Sequence, residues 1–315
     1  MTDLALLFPG QGSQAVGMGR ALAEAFPAAK AVFDEVDAAL GERLSAMIFE
    51  GPDDRLTLTA NAQPALMAVS LAALRALESE YGAPLAGRAA FVAGHSLGEY
   101  SALCAAGALA LADAARLLRL RGSAMQAAVP VGAGGMAALL GVERETAEAI
   151  AAEAADGEVC EVANDNGGGQ VVISGAKAAI DRAIGLAKTH GAKRAVPLPV
   201  SAPFHCSLMA PAAQAMREAL AGATIARPLA PLVANVLAAP ISDPEQIRRR
   251  LVEQVTGRVR WRESVAAMGA AGVGRFLEIG SGKVLAGLVK RILPEAAAAS
   301  FGAPDDRAGV AQLLS

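Results

Sequence analysis

The chain has 315 residues, a formal net charge of −3, 54% hydrophobic residues and only 3% aromatic ones. This length holds one large domain or two unequal ones around a core of Ala, Leu and Val, and the weak acidity argues against a nucleic-acid surface or an anionic membrane partner. Asp3 and the lack of a basic segment before the first apolar stretch speak against a secretory signal. The stretches 122–142 and 195–216 are free of charge, but Pro and Gly interrupt both, so no membrane span is expected. Cys104, Cys160 and Cys206 are odd in number and lack C-x-x-C spacing, which predicts free thiols in a reducing cytoplasm.

In chain order, Leu4–Phe8 reads as a strand that empties into the glycine loop Pro9-Gly10-Gln11-Gly12-Ser13-Gln14. Helical periodicity covers 19–40 and returns from Pro64, placed as a first helical residue, to about 80. Residues 89–93 form a buried strand, and a helix follows Gly98. Another helix over 111–128 carries Arg116, Arg119 and Arg121. The pattern then changes. Strand 136–142, helix 143–155, strands 159–163 and 170–174 around the turn 164–169, helix 176–189 and strand 193–198 give β-α-β-β-α-β, the ferredoxin-like order. Glycines at 132–135 and prolines at 197, 199 and 203 flank it. The expectation is a small subdomain, 131–199, inserted into a larger α/β domain formed by 1–130 and 200–315. A helix at 206–222, a strand at 232–236, helices at 244–256 and 262–271, and a strand at 275–279 ending in Gly280-Ser281-Gly282-Lys283 complete the chain.

The chemistry concentrates at Gly94-His95-Ser96-Leu97-Gly98. Strand, sharp turn with Ser at its tip, then helix is the setting in which G-x-S-x-G forms a nucleophile elbow. The turn puts the Ser96 hydroxyl near helix N–H groups that stabilise an oxyanion. A serine nucleophile needs a base, and there are three histidines. His95 is adjacent to Ser96, so its ring diverges from its neighbour's. His190 closes a helix before a glycine, where the helix dipole favours it. His205 stands where the chain re-enters the large domain behind two prolines, and is the candidate base. Cys206 beside His205 is a weaker nucleophile candidate, for the same reason of adjacency. The loop at Gln11 lacks the Gly-Lys-Ser/Thr ending of a phosphate loop but offers N–H groups for a second oxyanion donor. Arg121 reads locally as a surface arginine or as a bidentate clamp for a carboxylate. The run Arg248-Arg249-Arg250 reads as a solvated helix face.

Taken together, Gly10-Gln11-Gly12-Ser13-Gln14, Gly94-His95-Ser96-Leu97-Gly98-Glu99-Tyr100, Arg121-Gly122 with Met125-Gln126, Asn164-Asp165-Asn166 with Gly169-Gln170, Pro203-Phe204-His205 and Gly280-Ser281-Gly282-Lys283 resemble the malonyl-CoA:acyl carrier protein transacylases of bacterial fatty-acid synthesis over essentially the whole chain. The resemblance implies a hydrolase-like α/β domain with a parallel sheet and a ferredoxin-like insertion. It implies that Ser96 becomes acylated, that His205 moves the proton, that the N–H groups of Leu97 and Gln11 form the oxyanion hole, and that Arg121 binds the malonyl carboxylate. Asn166 and Gln254 fall at further substrate-binding positions, and Gln254 lies in the stretch whose main-chain carbonyl orients the histidine. Phe204 before His205 matches the malonyl-selective pattern of polyketide acyltransferase domains and narrows the space beside the α-carbon. The implied partners are malonyl-CoA and, transiently, an acidic acyl carrier protein, with Lys193, Arg194 and Arg248 to Arg250 as docking candidates. A cytoplasmic monomer with no permanently bound cofactor is expected, the CoA thioester being substrate. A polyketide-pathway acyltransferase, a serine thioesterase or esterase, and a non-catalytic carrier-docking module are the alternatives.

Overall fold

The computed structural model describes residues 3–82 and 84–314. Its strands are, in chain order, β1 Leu4–Phe8, β2 Phe91–Gly94, β3 Gly134–Leu140, β4 Cys160–Gly167, β5 Gln170–Ala176, β6 Arg194–Pro197, β7 Leu232–Ala234, β8 Ala239–Ile241, β9 Arg275–Ile279 and β10 Ala297–Phe301. Six form the large sheet, in the order β10-β9-β1-β2-β7-β8, parallel throughout except for β8 at one edge. β1 is central, and its run Leu-Ala-Leu-Leu-Phe is wholly buried. A parallel strand covered on both faces needs apolar side chains at every position, not every second one. Leu4, Leu6 and Phe8 accordingly join one core, and Ala5 and Leu7 join the core on the opposite face.

The small sheet has the order β4-β5-β3-β6 and is antiparallel throughout, the ferredoxin-like arrangement. Period two divides its strands as well. Ala137 and Leu139 pack beneath the helices Arg144–Ala155 and Lys177–Ala187, whereas Met136 and Ala138 face the large core. That second face becomes a wall of the cavity described below. A joint ties the two sheets together. Val259 and the β4 segment exchange main-chain hydrogen bonds (Val259 N–H to Ala163 O, 2.8 Å; Asp165 N–H to Val259 O, 3.0 Å), and ion pairs Arg262–Asp165 and Arg258–Glu148 flank them.

Two local expectations are corrected. The segment 164–169 is not a six-residue turn: β4 runs on to Gly167, with register shifts after Val162 and Asp165, and the hairpin closes through Gly168 and Gly169, both at positive φ. Asn164 and Asn166 therefore sit on a strand, on one face. Pro64 does not open its helix, which spans Thr59–Tyr81. A proline inside a helix orphans the carbonyl four residues back. Here that carbonyl, Ala60 O, accepts from Arg119 Nη1 at 2.9 Å. Among the described residues no helix is long and apolar enough to cross a membrane.

Candidate active site

The parallel strands β1 and β2 end side by side, and the turn after β2 carries Ser96. Ser96 has φ +54°, a left-handed conformation that an L side chain rarely adopts. Both glycines of the motif are needed there for space. A Cβ on Gly94 would lie 1.9 Å from the Gly98 carbonyl carbon, and one on Gly98 would lie 2.3 Å from Phe8 O at the end of β1. Asn235, beyond the end of β7, clamps the turn. Its Oδ1 accepts from Ser96 N–H at 2.8 Å and its Nδ2 donates to Gly94 O at 2.7 Å. Sequence reasoning missed Asn235. A polar residue at the carboxyl end of a parallel strand is the signal that would have found it.

His205 Nε2 lies 2.7 Å from Ser96 Oγ. Its Nδ1 lies 2.9 Å from Gln254 O and 3.1 Å from Gly257 O. Carbonyls only accept, so the proton sits on Nδ1 and the Nε2 lone pair faces the serine. Burial, reinforced by the charge on Arg121, pushes the imidazole pKa down to about 3, so the ring is neutral at ordinary pH. His205 also has positive φ, +59°. His95 lies beside the elbow, its Nε2 donating to Asn166 Oδ1 at 3.0 Å and its ring 5.6 Å from Trp261. His190 is on the far side of the small sheet with Glu153. The Cys206 thiol is turned away into the core, donating to Pro203 O, and burial raises its pKa.

Arg121 is only 1% exposed. Its Nη1 donates to Gln63 Oε1 at 2.7 Å, and its Nη2 donates to Gln254 Oε1 at 2.8 Å and approaches Ser96 Oγ at 3.3 Å. Among the described residues it forms no ion pair, and its Nε has no partner. A buried guanidinium met only by neutral oxygens is half-compensated, and it borders the cavity. Gly122 allows the approach: a Cβ there would fall 2.5 Å from Thr59 O. The bond chain continues from Gln63 Nε2 to Thr59 Oγ1 and from Thr59 Oγ1 to Gln11 Oε1, each 2.9 Å. It ties the guanidinium to the glycine loop.

The cavity holds about 400 Å³ between the ends of β1 and β2 and the inner face of the small sheet. Gln11, Ser96, Leu97, Arg121, Asn166 and His205 all line it. Among the described residues, the main-chain N–H groups of Gln11 and Leu97 meet no protein acceptor, so both are free to donate to a substrate oxygen. Phe204 forms part of the wall. Gln254 does not border the cavity. It is wholly buried beneath Arg121, its Nε2 donating to Ser96 O at 2.9 Å and Glu99 Oε2 at 2.6 Å. Its place is that of a support under the guanidinium, which departs from the expected substrate contact. Glu99, a second residue the sequence reading passed over, is buried in the first helical turn after the elbow, and burial pushes its carboxyl up to about 8. Its other oxygen accepts from Asn235 N–H. The docking candidates lie elsewhere: Arg248 and Arg249 border a separate surface groove, Arg250 pairs with Glu253, and Lys193 packs over Gly141.

Residues 5–303 match the model of the acyl transferase domain family. The chain belongs to that family. This acyl transferase domain is 47% identical to the malonyl CoA-acyl carrier protein transacylase of Bacillus subtilis (strain 168), over 93% of this chain and 91% of the relative. The acyl-carrier-protein-S-malonyltransferase of Bartonella henselae superposes on it with a TM-score of 0.95 at 56% identity, covering 99% of both chains. A type II PKS acyl-carrier protein in complex with its malonyl-transacylase supplies a third likeness, with a TM-score of 0.94, 43% identity and 99% of both chains covered. The acyl transferase domain thus has its parallel sheet and small antiparallel sheet in common with solved malonyltransferases.

Proposed function

We propose that this chain is a malonyl-CoA:acyl carrier protein S-malonyltransferase, which moves a malonyl group from CoA to the phosphopantetheine thiol of an acyl carrier protein through a malonyl-serine. The observation that carries the substrate choice is the buried Arg121 guanidinium, without an acidic partner among the described residues and 3.3 Å from Ser96 Oγ. Malonyl differs from acetyl by one carboxylate, and that carboxylate completes the guanidinium's missing partner. An acetyl group would leave the buried cation unpaired.

Ser96 Oγ attacks the thioester carbonyl carbon and gives its proton to His205 Nε2. The N–H groups of Leu97 and Gln11 hold the oxyanion. The tetrahedral adduct collapses, the C–S bond breaks, and CoA leaves as a thiol with the proton from His205. The carrier thiol then gives its proton to His205, its sulfur attacks the acyl-serine, and Oγ departs with that proton restored. The main-chain carbonyls of Gln254 and Gly257 stabilise the transient imidazolium where an aspartate serves in other serine enzymes. These steps need no resident cofactor, and CoA enters as part of the substrate. The protein works in the cytoplasm in this scheme, beside its soluble carrier.

The deciding experiment is intact mass after brief exposure to malonyl-CoA, with Ser96→Ala alongside. The wild type should gain one malonyl group and the variant none. Free CoA without an adduct would favour a thioesterase, and neither adduct nor CoA would overturn the assignment. A polyketide carrier as acceptor is a second reading, supported by the likeness to a malonyl-transacylase bound to a type II PKS carrier. Comparing transfer rates to fatty-acid and polyketide carriers separates the two.

A further inference from the structure

A buried arginine and a buried glutamate lie in one site here without touching. Glu99 is the acid nearest in charge to Arg121, yet burial keeps its carboxyl protonated at neutral pH and no ion pair joins the two among the described residues. The Gln254 amide stands between them. Its Oε1 faces Arg121 Nη2 at 2.8 Å and its Nε2 faces Glu99 Oε2 at 2.6 Å. The amide's orientation follows from its neighbours, since a guanidinium can only donate and the carboxyl oxygen accepts. A third contact, Gln254 Nε2 to Ser96 O at 2.9 Å, fixes the amide in the same sense. All three side chains are at most 1% exposed, so bulk solvent does not reach the gap.

We infer that Gln254 is a positioning residue that holds Arg121 and Glu99 apart and so reserves the guanidinium for the substrate carboxylate. This rests on the malonyl assignment above. Were the amide absent, the two side chains would be left facing each other across a low-dielectric gap, each short of one partner. Closing into direct contact would favour loss of the Glu99 proton to solvent, and the ion pair formed would satisfy both. The guanidinium would then be spent on the protein's own carboxylate, and an incoming malonyl group would have to displace it. The interposed amide gives the guanidinium and the neutral carboxyl a hydrogen bond each and supplies no counter-charge. The main-chain carbonyl of Gln254, which orients His205, is retained when the side chain is replaced.

The test is a double-mutant comparison read as the ratio of malonyl to acetyl loading on Ser96, by intact mass after exposure to malonyl-CoA or acetyl-CoA. Gln254→Ala should lower the ratio about tenfold, because the charge-assisted bond to substrate is lost. Adding Glu99→Gln to that variant removes the competing carboxylate and should recover a substantial part of the ratio, a non-additive result that contact between the sites allows. Far-UV circular dichroism and a cooperative thermal transition report in each variant that the protein is folded. If Gln254→Ala is not obtained folded, Gln254→Ser opens the same gap and carries the same expectation. A ratio unchanged in the single variant, or lowered equally in single and double, overturns the inference and leaves the malonyl assignment standing. A wild type that loads acetyl as readily as malonyl would overturn the malonyl assignment instead.

Discussion

The cavity has a floor and a wall built on different principles. The floor gathers Ser96 from the turn after a parallel strand, His205 from the loop that leaves the small sheet and Arg121 from the helix Leu111–Ala128; each is fixed by two or more hydrogen bonds and two of the three hold left-handed backbone. The wall comes from the inner face of the small sheet, where Met136, Ala138 and Val172 present apolar surface and Asn164, Asn166 and Gln170 polar groups. The difference teaches that reactivity and shape are assigned to separate layers. The floor has little freedom to change without loss of chemistry, and the wall can change residue by residue to suit a different acyl group or arm.

If that division holds, floor substitutions should dominate. Arg121→Ala should cut malonyl loading relative to acetyl by roughly a hundredfold, the loss of a desolvated charge-assisted pair; measuring both kcat/KM values checks it. A merely tenfold change in both acyl groups alike would mean that Arg121 braces the floor without reading the substrate. The pH profile is the next largest effect. Because His205 stays neutral down to about pH 3, the loading rate should be level from pH 8 to pH 5. An ordinary imidazole would already have cost roughly tenfold near pH 5.5. The sign for stability follows. The folded pKa is lowered, so below 6.5 the unfolded chain takes up the proton first, and stability falls as pH drops from there toward 3.

Phe204→Ser enlarges the space beside the α-carbon and should raise methylmalonyl turnover relative to malonyl severalfold, on the scale of one methyl group in a pocket. Competition between the two CoA esters measures it, and an unchanged ratio would remove Phe204 as a selectivity element. The smallest effect belongs to the wall. Asn166→Ala frees His95 Nε2 and should raise KM by about two- to fivefold, within the net worth of one hydrogen bond, with the malonyl-to-acetyl ratio unaltered. A collapse of kcat in that variant would break the floor-and-wall division.

Much of the floor was legible in the sequence because its constraints are local. Gly94, Ser96 and Gly98 occupy one turn, so the spacing itself encodes the steric demand, and elimination among three histidines led to His205. The supports were not legible because they are tertiary. Asn235 reaches the elbow from 139 residues away, and Gln254 is 155 residues from Glu99. Gln254 and Glu99 exchange their bonds in the core, where a sequence offers only a polar residue without a visible partner. Pro64 misled for the same reason. Proline reads as a helix start, and only the arrival of Arg119, 59 residues on from Ala60, satisfies the Ala60 carbonyl and lets the helix continue through it.

The left-handed backbone at Ser96 and His205 has a consequence for engineering. A non-glycine residue in that region costs on the order of 1–2 kcal/mol, so a search for stability alone would place glycine or asparagine at both. Serine and histidine at these two positions put the strain where the hydroxyl and the imidazole meet, and any programme of stabilising this enzyme by design should hold the two positions fixed.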